Sequence, residues 1–484
     1  MVKALGIDSD PGWCVLEAKY LVAIVALVIV IAGIGLALRG RGGPETPPPS
    51  GAPTEGIVLK VITRHASTIQ LLTKQQFLKT DLAKKYDIVD IQFFSPHPAL
   101  WKDTIVKQEC DVAWGGGPAL FNELIRMGLV APITDPDTLA VVDELPDEIG
   151  GAEMKHYENG QLMWVASAIS SFGFSINYPV LEQYGLPAPS VWEDLASPEL
   201  AKILPKPAIS YARALTSTSH TRIYQIILQK FGWERGWVIL TRMAANGRPY
   251  GGSVEALTAV ETGETPLGIM IDFYGYSAQI EFPGVKYVLP FNESIVNGDP
   301  IALLSTSKHP EAAQAFIRWV ISVEGQKLWL DERINRMPVR ADVFDTPEGQ
   351  SRPDLKEAYE ATVNNIGIHF DEDLATEILF SLKYYFDSVL CDTHDELVKT
   401  WKKLVDAYMA GKMSEEEFER FSYELGKPLT WTEDGETYTF TIEYAKQINE
   451  KLRDDPTFAS KMQSIWRQAA VERYESLYEQ IPDP

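Results

Sequence analysis

Four segments of this 484-residue chain gather side chains suited to holding a small molecule. Arg64, His65, Ser67 and Thr68 follow a β-branched run. Trp114-Gly115-Gly116-Gly117 closes another, and residues without side chains let backbone N–H groups approach a ligand. Thr216-Ser217-Thr218-Ser219 and Ser253 stand before helical patterns, where free N–H groups and a partial positive charge suit anions. Tyr274 and Tyr276, two residues past Asp272 and onward, end an apolar run; if it is extended, both phenols share one face. Two chemistries follow. Hydroxyls and N–H groups suit an anionic or zwitterionic solute. Tyr274, Tyr276 and His65 suit ferric iron, a hard cation that favours anionic oxygen.

Each group also has a plain structural reading. Ser253 caps a helix, the glycines make a tight turn, and Trp114 belongs to the core. His65 is a loop histidine, the tyrosines line an amphipathic wall, and Asp272 is a hinge salt-bridge partner. The chain carries no G-x-S-x-G, no H-E-x-x-H and no GKS/T phosphate loop, so no catalytic residue and no cofactor are assigned. A membrane-anchored surface enzyme or a structural surface protein remains the reading of another class.

The elements that position these groups alternate. Strands are predicted over 57–64, 87–94 and 110–116, with a helix from Ser67 to about Lys85 and further helices over 98–108 and from Pro118. This βαβαβα order predicts a parallel sheet with helices on both faces and ligands beyond the strands' carboxyl ends. The long apolar run 163–178 is a candidate crossing between two lobes, and 268–285 a second. Beyond residue 350 the pattern is helical, with a hairpin around Asp434-Gly435, a dipeptide suited to a tight turn.

Before the soluble body, Tyr20 to Leu38 carry no charge and are almost wholly apolar, long enough to span a bilayer. Arg39 to Gly56, rich in Pro and Gly, reads as a tether. A cleaved signal peptide competes, but the run is long and lacks an A-x-A site, so an uncleaved anchor is expected. The net charge is −23, which excludes a basic footprint for nucleic acid. Cys14 precedes the apolar run; Cys110 and Cys391 are free to bridge, without a spacing that demands it.

Asp111-Val-Ala-Trp-Gly-Gly116, Gly185-Leu-Pro-Ala-Pro-Ser-Val-Trp-Glu-Asp-Leu195, Gly263-Glu264 with Gly268-Ile-Met, Gly298-Asp-Pro-Ile-Ala-Leu303, His309-Pro-Glu-Ala-Ala-Gln-Ala-Phe316 and Glu324-Gly-Gln326 stand in one order across 57–345. In these the body resembles the extracellular solute-binding proteins of ABC importers, in the ferric-iron, thiamine and aminoalkylphosphonate group. The resemblance implies an α/β, two-lobed periplasmic-binding-protein-like fold of type II. To this the sequence adds an N-terminal transmembrane helix and a mainly helical C-terminal extension. The expected plan is a cytoplasmic segment 1–19, an anchor 20–38, a tether 39–56, lobe 1 over 57–164 with 285–345 returning, lobe 2 over 165–284, and the extension 350–484. The implied partners are a small-molecule solute and a membrane permease. The implied location is the outside of the cell membrane, single-pass, in an archaeal-like arrangement where a tether replaces the periplasm. The expected ligand groups are His65, Ser67, Trp114, Gly115, Gly116, Ser217, Thr218, Ser253, Tyr274 and Tyr276. An anionic or zwitterionic solute is the reading adopted. Ferric iron, through His65, Tyr274 and Tyr276, is the alternative, against which stands Gly275, since the family's iron pattern has adjacent tyrosines.

Overall fold

A computed structural model describes residues 56–365 and 367–484. The expected anchor and tether lie outside them. Among the described residues no helix is long and apolar enough to cross a membrane.

Strands β1 (Ile57–Thr63), β2 (Ile88–Phe94) and β3 (Val112–Trp114) are parallel, as the alternating pattern requires. Leu59, Val61 and Ile62 of β1, Ile88 and Ile91 of β2 and Val112 of β3 are buried, as in parallel strands covered by helices, while Val58 and Val89 stay exposed. Strand β4 (Gln161–Asn177) is long: 17 residues, all but the first buried. Its first part pairs with β9 (Val296–Leu304), through Val165 to Ser171. Its second part pairs with β7 (Leu267–Ile271) and β8 (Val285–Val288), through Phe172 to Asn177. Strands β5 (Ile209–Ala212) and β6 (Gly247–Tyr250) complete the order β6-β5-β7-β4-β9-β3-β1-β2. One sheet therefore has two halves, and the chain passes between them at Ser170–Phe172 and returns between Val288 and Val296. The second crossing expected over 268–285 is instead a strand and a helix inside one half.

Helix α1 (Ser67–Phe77) follows β1, and a separate short helix, Asp81–Lys85, follows it. Thr80 breaks the single helix expected to Lys85; its hydroxyl caps the second one by accepting from Ala83 N. Helix α2 (Trp101–Gln108) precedes β3 and α3 (Pro118–Arg126) follows it, with Pro118 at the first helical position. In the other half α4 (Thr218–Phe231), α5 (Trp233–Ala245), α6 (Ser253–Glu261) and α7 (Asp272–Glu281) cover the sheet.

The extension does not fold apart. Helices α8 (Leu379–Phe386), α9 (His394–Met409), α10 (Glu415–Gly426), α11 (Ile442–Asp454) and α12 (Pro456–Gln480) bring Leu382, Trp401 and Trp466 into one apolar core with Phe174, Trp192 and Trp237. The hairpin Thr430–Glu433/Glu436–Thr439 turns at Asp434-Gly435, both at positive φ. The first half has its own core, around Val61, Trp114, Val165, Phe316 and Trp329. Cys110 and Cys391 are both free and buried in different cores, so the bridge left open by the sequence is not formed.

Candidate functional site

The loops after β1, β2 and β3, the starts of α4 and α6, and α7 and α8 enclose a cavity of about 800 Å³ between the two halves. Its floor is the crossing itself. Asp299 on β9 accepts from the N–H groups of Gly116 (2.8 Å) and Gly117 (3.1 Å) and pairs with Arg336 at 2.8 Å. Arg336, 3% exposed, also donates to Ser170 Oγ on β4 (3.0 Å) and to His65 Nδ1 (3.1 Å). Burial opposes charge on Asp299, but Arg336, His65 and the Gly116 N–H together hold its carboxyl below the usual range. A buried charge is tolerated only with such partners.

The triple glycine is thus needed for its backbone, in an unforeseen way. All three residues have positive φ, a region that favours glycine. Their N–H groups are already taken: Gly115 donates to Pro300 O, and the other two to Asp299. Gly116 lines the cavity, whereas Gly115 and Trp114 do not. Trp114 is fully buried and donates to Ser167 Oγ at 2.9 Å, so its core reading holds. His65 lines the cavity but is only 5% exposed, its ring 4.4 Å from that of Trp114. Burial, with Arg336, pulls its pKa down to about 3, against the pull of Asp299. Ser67 is exposed and stands off the cavity.

Two helix starts face the cavity together. Ser217 caps α4 by accepting from His220 N, and Ser217 Oγ lies 2.7 Å from Ser253 Oγ. Ser219 Oγ is 3.2 Å from Ser253, and Thr218 lines the same wall. Ser253 is the first residue of α6 rather than its cap; Gly252 occupies the cap position. The free N–H groups and partial positive charge of both helices therefore point toward one place.

Tyr274 and Tyr276 are separated. The segment is helical from Asp272, so residues two apart point about 200° away from each other. Tyr274 lines the cavity, while Tyr276 packs on Tyr287 with ring centroids 5.0 Å apart. Burial raises the pKa of both phenols, which disfavours the phenolates a ferric ion needs. The set His65, Tyr274 and Tyr276 is not assembled. Among the described residues no group of three or more His, Cys, Asp or Glu is placed to hold a metal. Asp272 makes no ion pair within 4 Å among the described residues; it accepts from Ser171 N (2.7 Å) and ties α7 to the crossing strand.

Seven Arg or Lys residues line this cavity, Arg64, Lys102, Arg222, Arg333, Arg336, Lys383 and Arg453, and of these only Arg64 stood among the candidate groups of the sequence. Arg336 is paired with Asp299 and Arg222 with Glu372, at 2.9 Å. Arg64 has no ion pair or side-chain hydrogen bond among the described residues, and burial lowers its pKa against the opposing field of Tyr274. Its place next to His65 was visible in the sequence. The partners of Arg336 and Arg222 lie up to 271 residues away, Lys383 has none among the described residues, and no local spacing announces any of the three.

Residues 66–327 match the family model described as bacterial extracellular solute-binding protein. The chain belongs to that family. The phosphoglycerate transport regulatory protein PgtC of Salmonella typhimurium is 28% identical over 196 residues, covering 40% of this chain and 47% of the relative. The Fe(3+)-binding periplasmic protein of Serratia marcescens is 24% identical over 247 residues, covering 47% and 69%. The chain thus spans about half the length of the first of these relatives. Among solved structures, an ABC transporter protein of Clostridium perfringens matches with a TM-score of 0.52 and 18% identity, over 69% of this chain and 99% of that one. The periplasmic binding protein AfuA of Actinobacillus pleuropneumoniae, with fructose-6-phosphate bound, matches with a TM-score of 0.51 and 16% identity, over 63% and 98%. These likenesses show the fold: the mixed α/β arrangement of periplasmic binding proteins, here with a helical C-terminal region.

Proposed function

We propose that this chain is the solute-binding component of an ABC importer, taking up a small anionic solute in the cavity between two lobes and passing it to a membrane permease. In this reading the half built on 57–169 and 296–345 forms one lobe and the half built on 173–288 the other, moving about the crossings at Ser170–Phe172 and 289–295. In the same reading the apolar run 20–38 anchors the body outside the cell, a location in keeping with the family's description as extracellular.

One observation carries the choice of an anion. Arg64 reaches a cavity also faced by the starts of α4 and α6, and no acidic partner neutralises it among the described residues. An enclosed, unpaired guanidinium beside two helix N-termini is matched by an oxyanion. The phosphorylated compound named for PgtC and the one bound to AfuA agree with this chemistry. Ferric iron finds no paired phenolates here, because α7 sends Tyr276 away from Tyr274.

Equilibrium titration decides between the chemistries. The expected result is saturable, colourless binding of an organic phosphate such as 3-phosphoglycerate or fructose 6-phosphate, with no turnover. A visible tyrosinate-to-iron band on adding ferric citrate, bleached by Tyr274→Phe, with no binding of either phosphate, would reverse the choice. Protease added to intact cells tests the location: the body should be removed, and full protection would contradict an outside position.

A further inference from the structure

The helical extension reaches the cavity wall. Helix α8 brings Leu379, Phe380, Lys383 and Tyr384 to it, and Arg453 with Asp454, at the end of α11, close the rim. The placement of α8 is built in. Its continuation carries Asp387, fully buried, which accepts from Ala214 N (2.7 Å) and Leu215 N and pairs with Arg213. That fastens α8 to the loop that leads into α4. Lys383 lies one turn earlier, on the same helix face, and so is held toward the cavity.

Lys383 is 8% exposed, and among the described residues its ammonium has neither an ion pair nor a hydrogen bond. The other deeply buried Lys and Arg residues among the described residues have partners: Lys155 with Asp147, Arg222 with Glu372, Arg336 with Asp299, Arg340 with Asp342 and Arg352 with Asp354. A buried charge without a partner is costly, and its usual fate is neutralisation by a ligand or loss of its proton. Lys383 also lies in the field of Arg64 from the opposite half, so two unneutralised cations from separate parts of the chain share one cavity. The extension meanwhile touches that opposite half. Arg453 pairs with Glu123 of α3 at 2.6 Å, and Glu123 is almost fully buried.

We propose that the extension is a working wall of the solute site, in which Lys383 and Arg64 together hold one doubly charged oxyanion group, such as a phosphate monoester, against the starts of α4 and α6. This rests on the anionic reading above and goes beyond it: the extension, not the two lobes alone, sets the charge that the site selects. Charge balance supports a dianion: Arg336, Arg222, Arg333 and Arg453, which also line the cavity, are already paired, and the exposed Lys102 and Glu255 offset each other. Burial draws the Lys383 pKa down to about 8, opposed by Asp387 and reinforced by Arg64, which is the condition of an ammonium awaiting an anion.

The test uses the full chain, with fructose 6-phosphate and inorganic phosphate as probes and fructose as the uncharged control. Lys383→Met should weaken both phosphate probes at least tenfold, and Lys383→Arg should retain most of the affinity. In the absence of probe, Lys383→Met should melt at or above the wild-type temperature, since it removes an unpaired buried charge, while the stabilisation conferred by the probe shrinks. Wild-type binding that survives Lys383→Met unchanged overturns this proposal alone. A lowered melting temperature in Lys383→Met with undiminished probe-induced stabilisation does the same, by making Lys383 structural. If the wild type binds neither phosphate probe, the anionic reading fails, and this proposal fails with it.

Discussion

His220 lies fully buried beneath two serines, its Nδ1 3.0 Å from Ser217 Oγ and 3.3 Å from Ser253 Oγ. Burial pulls its pKa down to about 3. The folded chain therefore keeps this imidazole neutral where the unfolded chain, at about 6.5, takes up a proton. Its contribution is complete above about pH 6.5 and is lost as pH falls toward about 3, with a slope of roughly 1.4 kcal/mol per pH unit. Asp272, raised to about 7 by burial, and Asp387, raised to about 6, act in the opposite sense over part of that range. Comparison with His220→Gln isolates the histidine: the variant should lose less stability between pH 6.5 and 4.5 in urea titrations. Parallel losses in the two proteins would contradict a neutral buried His220. The serines above it divide their roles. Ser217→Ala removes the cap of α4 and should cost about 1 kcal/mol of stability. Ser253→Ala removes no cap and should leave stability nearly unchanged, while weakening an anion by about 0.5–1.5 kcal/mol. Thermal melts with and without solute separate the two, and equal destabilisation by both would contradict this division.

At the scale of elements, what was legible followed from local periodicity. The β-branched runs became β1, β2 and β4, and Asp434-Gly435 marked its hairpin. Helix α7 was misread because an apolar strand, Leu267–Ile271, runs directly into it, and a short apolar stretch does not declare its period. That single error joined Tyr274 and Tyr276 on one face. Ser253 was misplaced by one position at a helix start, the usual uncertainty of helix ends. The glycine loop was legible as a backbone feature but not in its use, since Asp299 lies 183 residues from Gly116. This long-range loop gives an element-scale prediction. Asp299→Ala leaves Arg336 buried without its carboxylate and the N–H groups of Gly116 and Gly117 without an acceptor. It should cost about 3–5 kcal/mol in chemical denaturation. A loss below about 1 kcal/mol would show that the loop holds Arg336 by other means.

For the whole molecule, the net charge of −23 and the cationic cavity describe different ranges. At physiological salt the general acidity is screened beyond about 8 Å, so the groups inside the cavity decide what enters. The crossings at Ser170–Phe172 and 289–295 are the expected hinges, and binding should draw the lobes together. Small-angle scattering should give a smaller radius of gyration with bound solute; an unchanged radius at saturation would argue for a preformed site. The family and the general fold were legible across 57–345, whereas the contribution of the extension to the cavity was not. Lys383 carries no local signature, and only the packing of α8 on the loop before α4 brings it there. On the proposed reading this cavity holds a small anion through Arg64. Native mass spectrometry of the full chain, purified without denaturation from the cells that make it, tests this most directly. The wild type should carry one small organic anion per chain, and Arg64→Ala should lack it. A bound iron ion in its place, or the same anion retained in full by Arg64→Ala, would contradict that reading.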